Sequence, residues 1–153
     1  MALYIVQHGQ SLPEEQDPEK GLSPEGRQSV RRIARVASGY GVRLSAIWHS
    51  GKQRALQTAE LISEILKPSG AVQKVSGLAP LDDVAAFAAR VDLDSDLMLV
   101  GHLPFLEKFV TYMIFGTTTP PVFRLQNGGI LCLDRYPGTE NPVIKWAIMP
   151  VVD

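Results

Sequence analysis

Leu3-Tyr4-Ile5-Val6-Gln7-His8-Gly9 begins with four apolar residues and ends in a histidine and a glycine. Four apolar residues in succession indicate a short strand that is buried on both faces, as in a parallel sheet. Gly9 lets the backbone turn sharply or approach a ligand closely. His8 is therefore expected at the carboxyl end of a central strand, where open α/β sheets bind their ligands. The simpler alternative is a histidine that only caps the strand and bonds to a neighbouring loop.

Strands and helices alternate along the rest of the chain. Ser23-Pro24-Glu25 has the residues of a helix start, with a capping hydroxyl, a proline and an acid in the first turn. Apolar spacing predicts helices over about 24–37, 52–66, 84–90 and 105–113, and further strands at 46–48, 72–75, 97–100, 130–133 and 143–148. The pattern predicts an α/β fold with three α/β/α layers: a mainly parallel sheet, a hairpin-like last pair of strands, and helices on both faces. A single domain over residues 1–153 is expected.

Composition limits the classes of partner. The chain is 45% hydrophobic and 20% charged, which is ordinary for a globular protein. Its net charge of −1 gives no general attraction to nucleic acid or to an anionic membrane, so an anion site must be local. The one cysteine, Cys132, excludes an internal disulfide and is expected in the core. No apolar run has the length of a membrane span or the basic flank of a signal peptide, so a cytoplasmic location is expected.

Three strand ends carry residues with functional chemistry. His8 follows the first strand, Arg54 lies just beyond the strand that ends before Ser50, and His102 follows the strand at 97–100. Arg54 falls in the first turn of a helix, where its charge opposes the helix dipole unless an anion binds there. A plain surface arginine is the alternative. If these strands are parallel neighbours, the three side chains meet at one edge of the sheet.

This set of residue types favours phosphoryl chemistry. A zinc site is disfavoured because the two histidines have no carboxylate or cysteine at ligand spacing. Ser50 lacks the G-x-S-x-G elbow of a catalytic serine. One imidazole can instead attack a phosphoryl group in line, while charged donors hold its oxygens. The polar loop after Gly9 is expected to be a binding loop or lid, or simply a solvated connection.

Four motifs together resemble those of the histidine phosphatase superfamily, which has the phosphoglycerate mutase-like fold. Gln7-His8-Gly9 resembles its R-H-G signature with the arginine replaced, and residues 22–26 resemble its L-T-x-x-G helix start. Residues 50–58 match S-x-x-x-R-A-x-Q-T, and residues 101–104 match the second histidine motif. The short length and several late residues look most like the SixA-type phosphohistidine phosphatases; these residues are Thr119-Pro120-Pro121, Trp146 and Met149-Pro150.

The resemblance implies roles for the matched residues. His8 would be the nucleophile that becomes phosphorylated, and Gly9 would orient its ring through the backbone. Arg54 would clamp the phosphoryl oxygens, and a protonated His102 would add a further donor. Gln7, Gly9, Arg54 and His102 would together bind phosphate. The implied substrate is a histidine-phosphorylated protein, such as a phosphotransfer domain, with no metal or other cofactor. The charge balance, as noted above, predicts no nucleic-acid or membrane partner.

Gln7 is the main departure from the family pattern. Glutamine carries no charge, and losing one preorganised donor to a developing anion costs roughly 3–4 kcal/mol, or about 10²–10³ in rate. The site is therefore expected to be slow, to use a relocated cation such as Lys52, or to bind phosphoproteins without turnover. A phosphatase for small phosphate esters is a further alternative. Such a substrate would need a general acid, for which the candidates are Asp82, Asp83 and Glu14.

Overall fold

A computed structural model describes the whole chain, residues 1–153, as six strands and four helices. In chain order the elements are β1 (Leu3–Gln7), α1 (Pro24–Gly39), β2 (Ala46–His49), α2 (Gln53–Leu66), β3 (Val72–Lys74), α3 (Val84–Ala88), β4 (Leu97–Gly101), α4 (Phe105–Phe115), β5 (Ile130–Arg135) and β6 (Pro142–Ile148). Every predicted element is present, although α3 is shorter than the predicted helix over 84–90. None of the helices combines the length and the apolar character that crossing a membrane requires.

The six strands form one sheet in the order β3-β2-β4-β1-β5-β6. The pairs β3–β2, β2–β4 and β4–β1 are parallel, whereas β5 pairs antiparallel with both β1 and β6. The reversal at β5 arises because the chain after α4 returns to the carboxyl edge of the parallel strands. There the Leu125 N–H donates to the Glu107 carboxylate at 2.9 Å, and the Gly128 N–H donates to the Gln7 carbonyl at 2.8 Å. The sheet is thus mixed, with parallel pairs in the majority, and the predicted hairpin is confirmed.

The core lies on both faces of the sheet, and β1 contributes to both. Tyr4 and Val6 belong to the apolar cluster beneath α1 and α2, whereas Leu3 and Ile5 belong to the one beneath α3 and α4. This alternation follows from the strand geometry, in which successive side chains point to opposite faces. The predicted three-layer α/β/α fold is confirmed, and β1 is buried at its centre.

The start of α1 is tied to the backbone just beyond β1. The Ser23 hydroxyl caps the helix by accepting the Gly26 N–H at 2.9 Å, and the Ser23 N–H donates to the Gln10 carbonyl at 3.0 Å. A Cβ atom at Gly26 would collide with that same carbonyl. Glycine is therefore required at this position, because the first turn of α1 packs directly on the chain two residues after His8.

The loop between β1 and α1 is closed at its base. Ser11 and Leu22 form an isolated antiparallel bridge, and the Leu12 N–H donates to the Gly21 carbonyl at 2.8 Å. Within the loop, the Asp17 carboxylate accepts the Gly21 N–H at 2.8 Å. The two ends of the loop are thus fixed to each other beside the carboxyl edge of the sheet.

Candidate active site

The carboxyl ends of β1, β4 and β2 lie side by side, which brings the residues that follow them together. The rings of His8 and His102 are 5.1 Å apart between centroids and are tilted by 50°. Arg54 lies in the first turn of α2, and its charge acts on both histidines. The strand order therefore gathers His8, Arg54 and His102 at one edge, as expected for parallel neighbours.

His8 is held by three hydrogen bonds, which involve its N–H, its carbonyl and its ring. Its N–H donates to the Gly101 carbonyl at 3.0 Å, and its carbonyl accepts the Asn127 side-chain amide at 2.8 Å. Its Nδ1 lies 2.7 Å from the Gly9 carbonyl. A carbonyl can only accept, so this contact assigns the ring proton to Nδ1 and leaves Nε2 with a bare lone pair. A bare, oriented imidazole nitrogen is what nucleophilic attack requires.

Thr58 connects the nucleophile loop to Arg54. Its hydroxyl oxygen accepts the Gly9 N–H at 2.8 Å, and its O–H donates to the Arg54 carbonyl at 2.7 Å. The side chain is fully buried. In the sequence Thr58 was only one letter of a matched motif; in the structure it joins β1 to the first turn of α2. Thr58 and Asn127 are thus positioning groups that the sequence pattern alone did not identify.

Two buried polar atoms at the site have no hydrogen-bond partner in the protein. They are Nδ1 of His102 and Oε1 of Gln7. His102 is only 2% exposed, and its other ring nitrogen, Nε2, lies 2.6 Å from the Ser50 hydroxyl oxygen. Buried polar atoms are nearly always satisfied in folded proteins. Finding both unsatisfied side-chain atoms at this edge of the sheet indicates that it is built to bind a polar ligand.

The electrostatic environment of the site is positive. Burial, aided by the charges of Arg54 and Lys20, lowers the pKa of His8, although its bond to Gly9 opposes the shift. Burial lowers the pKa of His102 to about 3, and the charges of His8, Arg54 and Lys52 act in the same direction. Burial also lowers the pKa of Arg54. No carboxylate contributes to any of these shifts, so the field favours an anion.

His102 corrects one expectation. The resemblance implied a protonated ring, but with a pKa of about 3 the imidazole is neutral near pH 7 in the ligand-free protein. The physical reason is that the ring is buried and lies near positive charges, and both burial and these charges disfavour the imidazolium. A bound dianion would favour the charged form, so protonation can only accompany ligand binding.

Lys20 is a cation of the site that the sequence did not reveal. It stands at the base of the loop between β1 and α1, half-buried, with a positive φ of 52°. Its charge is one of those that lower the pKa of His8. The available signal was that Lys20 is the only basic residue in a loop that otherwise carries acids. Lys52, the cation suggested by the sequence, is exposed and acts on His102 instead.

The three carboxylates suggested as general acids do not bond to the histidines or to Arg54; two of them bond elsewhere and one has no partner. Asp82 accepts the Ala79 N–H at 2.9 Å, and Asp83 caps α3 by accepting the Ala86 N–H at 3.1 Å. Glu14 is exposed in the loop after β1. None of the three forms a hydrogen bond or ion pair with His8, Arg54 or His102. No group of three histidine, cysteine, aspartate or glutamate side chains could hold a metal ion.

A polar cleft of about 680 Å³ opens beside Gln7. Its walls include Leu103, which follows His102, and several polar side chains: Gln10, Glu107, Arg124, Gln126 and Asn127. Arg124 is exposed and forms no ion pair. The cleft therefore lies beside residues that are sequence neighbours of the two histidines, and its lining combines the unpaired charge of Arg124 with the carboxylates of Glu107 and Asp153.

The comparisons with known proteins agree with this geometry. A model of the histidine phosphatase superfamily (branch 1) matches residues 3–82. An uncharacterized protein of Picosynechococcus sp. strain ATCC 27264 / PCC 7002 / PR-6 is 30% identical over 142 residues, which are 87% of this chain and 84% of that protein.

Solved structures of similar fold include enzymes with different substrates. The structure of the protein histidine phosphatase SixA complexed with tungstate has a TM-score of 0.81 and 25% identity, and the match covers 98% of this chain and 97% of that one. Phosphoserine phosphatase from Entamoeba histolytica in complex with 3-phosphoglyceric acid has a TM-score of 0.66 and 16% identity, with 95% of each chain covered.

Proposed function

This chain belongs to the histidine phosphatase superfamily (branch 1), and we propose that it removes phosphoryl groups from histidine residues of a protein through a phospho-His8 intermediate. One observation carries the proposal: His8 presents a bare, oriented Nε2 beside His102, in a positive field to which no carboxylate contributes. A fixed nucleophile within an anion-binding site is the minimum equipment for phosphoryl transfer.

Binding would rest on positive charge and on free donors. Arg54 would clamp the equatorial oxygens of the phosphoryl group, because a guanidinium can donate two parallel hydrogen bonds. Lys20 and Lys52 would add charge from the two sides, near His8 and His102 respectively. The first turn of α2 has no side-chain cap, so the backbone N–H groups of Gln53 and Arg54 are further donors.

The transfer step exchanges one nitrogen–phosphorus bond for another. Nε2 of His8 attacks phosphorus while the bond from phosphorus to the substrate's imidazole breaks, and the leaving nitrogen takes up a proton from solvent. The hydrogen bond from Nδ1 to Gly9 becomes stronger as the attacking ring gains positive charge. A leaving imidazole accepts a proton near neutral pH, so this substrate makes little demand on a general acid.

Hydrolysis then restores the enzyme. A water molecule attacks phosphorus, the bond from phosphorus to His8 Nε2 breaks, and inorganic phosphate leaves with the oxygen of that water. Because Asp82, Asp83 and Glu14 do not bond to the histidines, no carboxylate is assigned a role in either step. This arrangement fits a phosphoramidate better than a phosphate ester, whose alkoxide needs a proton donor.

A protein substrate is favoured by the open surroundings of the site. The polar cleft is lined by Gln7 and Leu103, the sequence neighbours of His8 and His102, and by the unpaired Arg124, and the segment around a phosphorylated residue could occupy it. The similar SixA structure is that of a protein histidine phosphatase, and its tungstate is an oxyanion like phosphate.

A module that reads phosphoproteins without hydrolysing them is the second candidate, and Gln7 favours it. The residue pairs with Gly101 at the end of β1, next to the nucleophile, and supplies an amide where the family has a guanidinium. If Arg54, Lys20 and Lys52 hold phosphate but do not stabilise the transition state, binding would occur without turnover.

The deciding experiment is a search for covalent phosphate on His8. The protein is incubated with a peptide carrying phosphohistidine, quenched within seconds and analysed by mass spectrometry, with H8N as the matched control and phosphoserine and sugar phosphates as competing substrates. An acid-labile phosphate on His8, with release of inorganic phosphate, is the expected result.

The other outcomes identify the alternatives. Phosphate binding without label or turnover would establish the reader and overturn the enzyme. Faster hydrolysis of a small ester than of phosphohistidine would overturn the substrate. Full activity in the H8N variant would overturn the assignment of the nucleophile.

A further inference from the structure

Ser50 has no role in the reaction proposed above, yet it makes the only side-chain hydrogen bond of His102. Its hydroxyl oxygen lies 2.6 Å from His102 Nε2. The same oxygen accepts the backbone N–H of Lys52 at 3.3 Å. Ser50 follows β2, whereas His102 follows β4, so the contact links two neighbouring strand ends.

The two contacts of the Ser50 hydroxyl favour one position for its hydrogen. A backbone N–H can only donate, so Lys52 uses a lone pair of the oxygen and leaves the hydroxyl hydrogen free. If that hydrogen is directed at His102 Nε2, Nε2 is the bare nitrogen of a neutral ring. In the reverse arrangement, Nε2–H would donate to Ser50 and the hydroxyl hydrogen would have no acceptor in the protein. The first arrangement places the ring proton of His102 on Nδ1.

Nδ1 is also the nitrogen of His102 that has bonding capacity left. It is buried and has no partner in the protein. The ring stands next to His8 and within the fields of His8, Arg54 and Lys52. A bare lone pair on Nδ1 would repel an incoming anion, whereas an N–H at Nδ1 would donate a hydrogen bond to it.

We propose that Ser50 is a positioning residue that holds His102 in the tautomer with its proton on Nδ1, so that this N–H is a neutral donor for the phosphoryl group. The proposal rests on the proposed function, because it takes the ligand to be a phosphoryl group. Its consequence is that His102 is ready to donate before any proton is taken up. A ring that is neutral near pH 7 can then still take part in binding.

The backbone around Ser50 is built as a fixed turn. Gly51 has a φ of 90°, and its N–H donates to Nδ1 of the buried His49 at 3.1 Å. A Cβ atom at Gly51 would also collide with the Lys74 side chain. The chain therefore turns sharply immediately after Ser50, and the turn is anchored at the end of β2 rather than by Ser50 itself.

Long-range ¹H–¹⁵N spectra test the tautomer directly, without reference to activity. The chain has three histidines, and an H102Q variant identifies the signals of His102. Wild-type protein and S50T are expected to show a protonated Nδ1 and a bare Nε2, because both keep a hydroxyl. S50A is expected to lose this pattern and to show a proton on Nε2 or a mixture. A wild-type ring protonated on Nε2, or an unchanged S50A spectrum, would overturn the proposal.

The pH profile of kcat/KM separates tautomer control from a merely structural effect. S50A is expected to lose between roughly tenfold and 10²-fold in kcat/KM for phosphohistidine, the scale of a misplaced catalytic contact. The loss should be smaller in acid than at high pH, because the negative charge of the bound substrate favours the imidazolium, which carries N–H on both nitrogens whichever tautomer preceded it. S50T should restore both the rate and the profile. An equal loss at every pH would contradict the proposal.

The outcomes also distinguish this proposal from the proposed function. If the wild-type protein hydrolyses nothing, the same comparison is made on the affinity for tungstate, which S50A should weaken at high pH more than in acid. In that case the proposed function fails while the assignment of Ser50 stands. If tungstate instead disrupts the contact between Ser50 and His102 Nε2 in the spectra, the assignment of Nδ1 fails while the phosphatase stands.

Discussion

Replacing Thr58 with valine removes one hydroxyl and keeps the shape of the side chain. Thr58 is fully buried, accepts the Gly9 N–H at 2.8 Å and donates to the Arg54 carbonyl at 2.7 Å. In T58V the Gly9 N–H stays buried without an acceptor, which costs about 1–3 kcal/mol of folding free energy. For a chain of this size that cost lowers Tm by roughly 3–10 °C.

The same substitution should lower activity, because Gly9 fixes the reactive tautomer of His8. The Gly9 N–H and carbonyl flank its Cα, so an unanchored Gly9 loosens the hydrogen bond to His8 Nδ1. Loss of alignment on this scale lowers kcat between roughly tenfold and 10²-fold. KM should change less, since the side chains of Arg54 and Lys20 remain.

The assay combines thermal unfolding with steady-state hydrolysis of a phosphohistidine peptide, and two further variants control it. T58S keeps the hydroxyl and should keep both Tm and kcat. T111V alters a second buried threonine, on α4, whose hydroxyl bonds only to backbone carbonyls away from the histidines. It should change Tm without changing kcat. A T58V protein with a lowered Tm but wild-type kcat would refute the link between Gly9 and His8.

Two further predictions concern the charge at the site. Q7R is expected to raise the hydrolysis rate, but by less than the roughly 10²–10³-fold typical of one added donor, because Lys20 and Lys52 already supply positive charge. An unchanged or lower single-turnover rate would mean that the pocket is built around glutamine. K20Q is expected to move the acidic limb of the kcat/KM profile to higher pH. The charge of Lys20 lowers the pKa of His8, so its removal raises that pKa, and the neutral ring needed for attack then forms only at higher pH. K108Q, on α4, is the matched control, and equal profiles for the two variants would contradict this prediction.

The fold was largely predictable because its elements are marked locally. The four apolar residues of β1 are buried on both faces, and Ser23-Pro24 begins α1 as the capping pattern indicates. From the sequence, β5 could be expected to pair antiparallel only with β6, as part of a hairpin. Its pairing with β1 depends on contacts such as Gly128 with Gln7, which join residues far apart in the sequence.

The position of a site residue was predictable where that residue follows the end of a strand. His8, Arg54 and His102 follow three neighbouring parallel strands, and their meeting follows from topology. Lys20 lies in a loop without periodicity, and its place depends on a backbone conformation with positive φ. A protonated His102 is not found in the ligand-free protein, because the protonation state depends on burial among positive charges, which no local pattern encodes.

The closed base of the loop after β1 has a consequence for how such a protein can change. Because Leu12 bonds to Gly21 and Ser11 pairs with Leu22, the span between them is attached to the rest of the molecule as a single cassette. Residues 13–16, 18 and 19 could be exchanged while His8 keeps its place, because their side chains form none of the hydrogen bonds that close the loop. Such exchanges would alter the surface beside the carboxyl edge of the sheet and leave the fold unchanged.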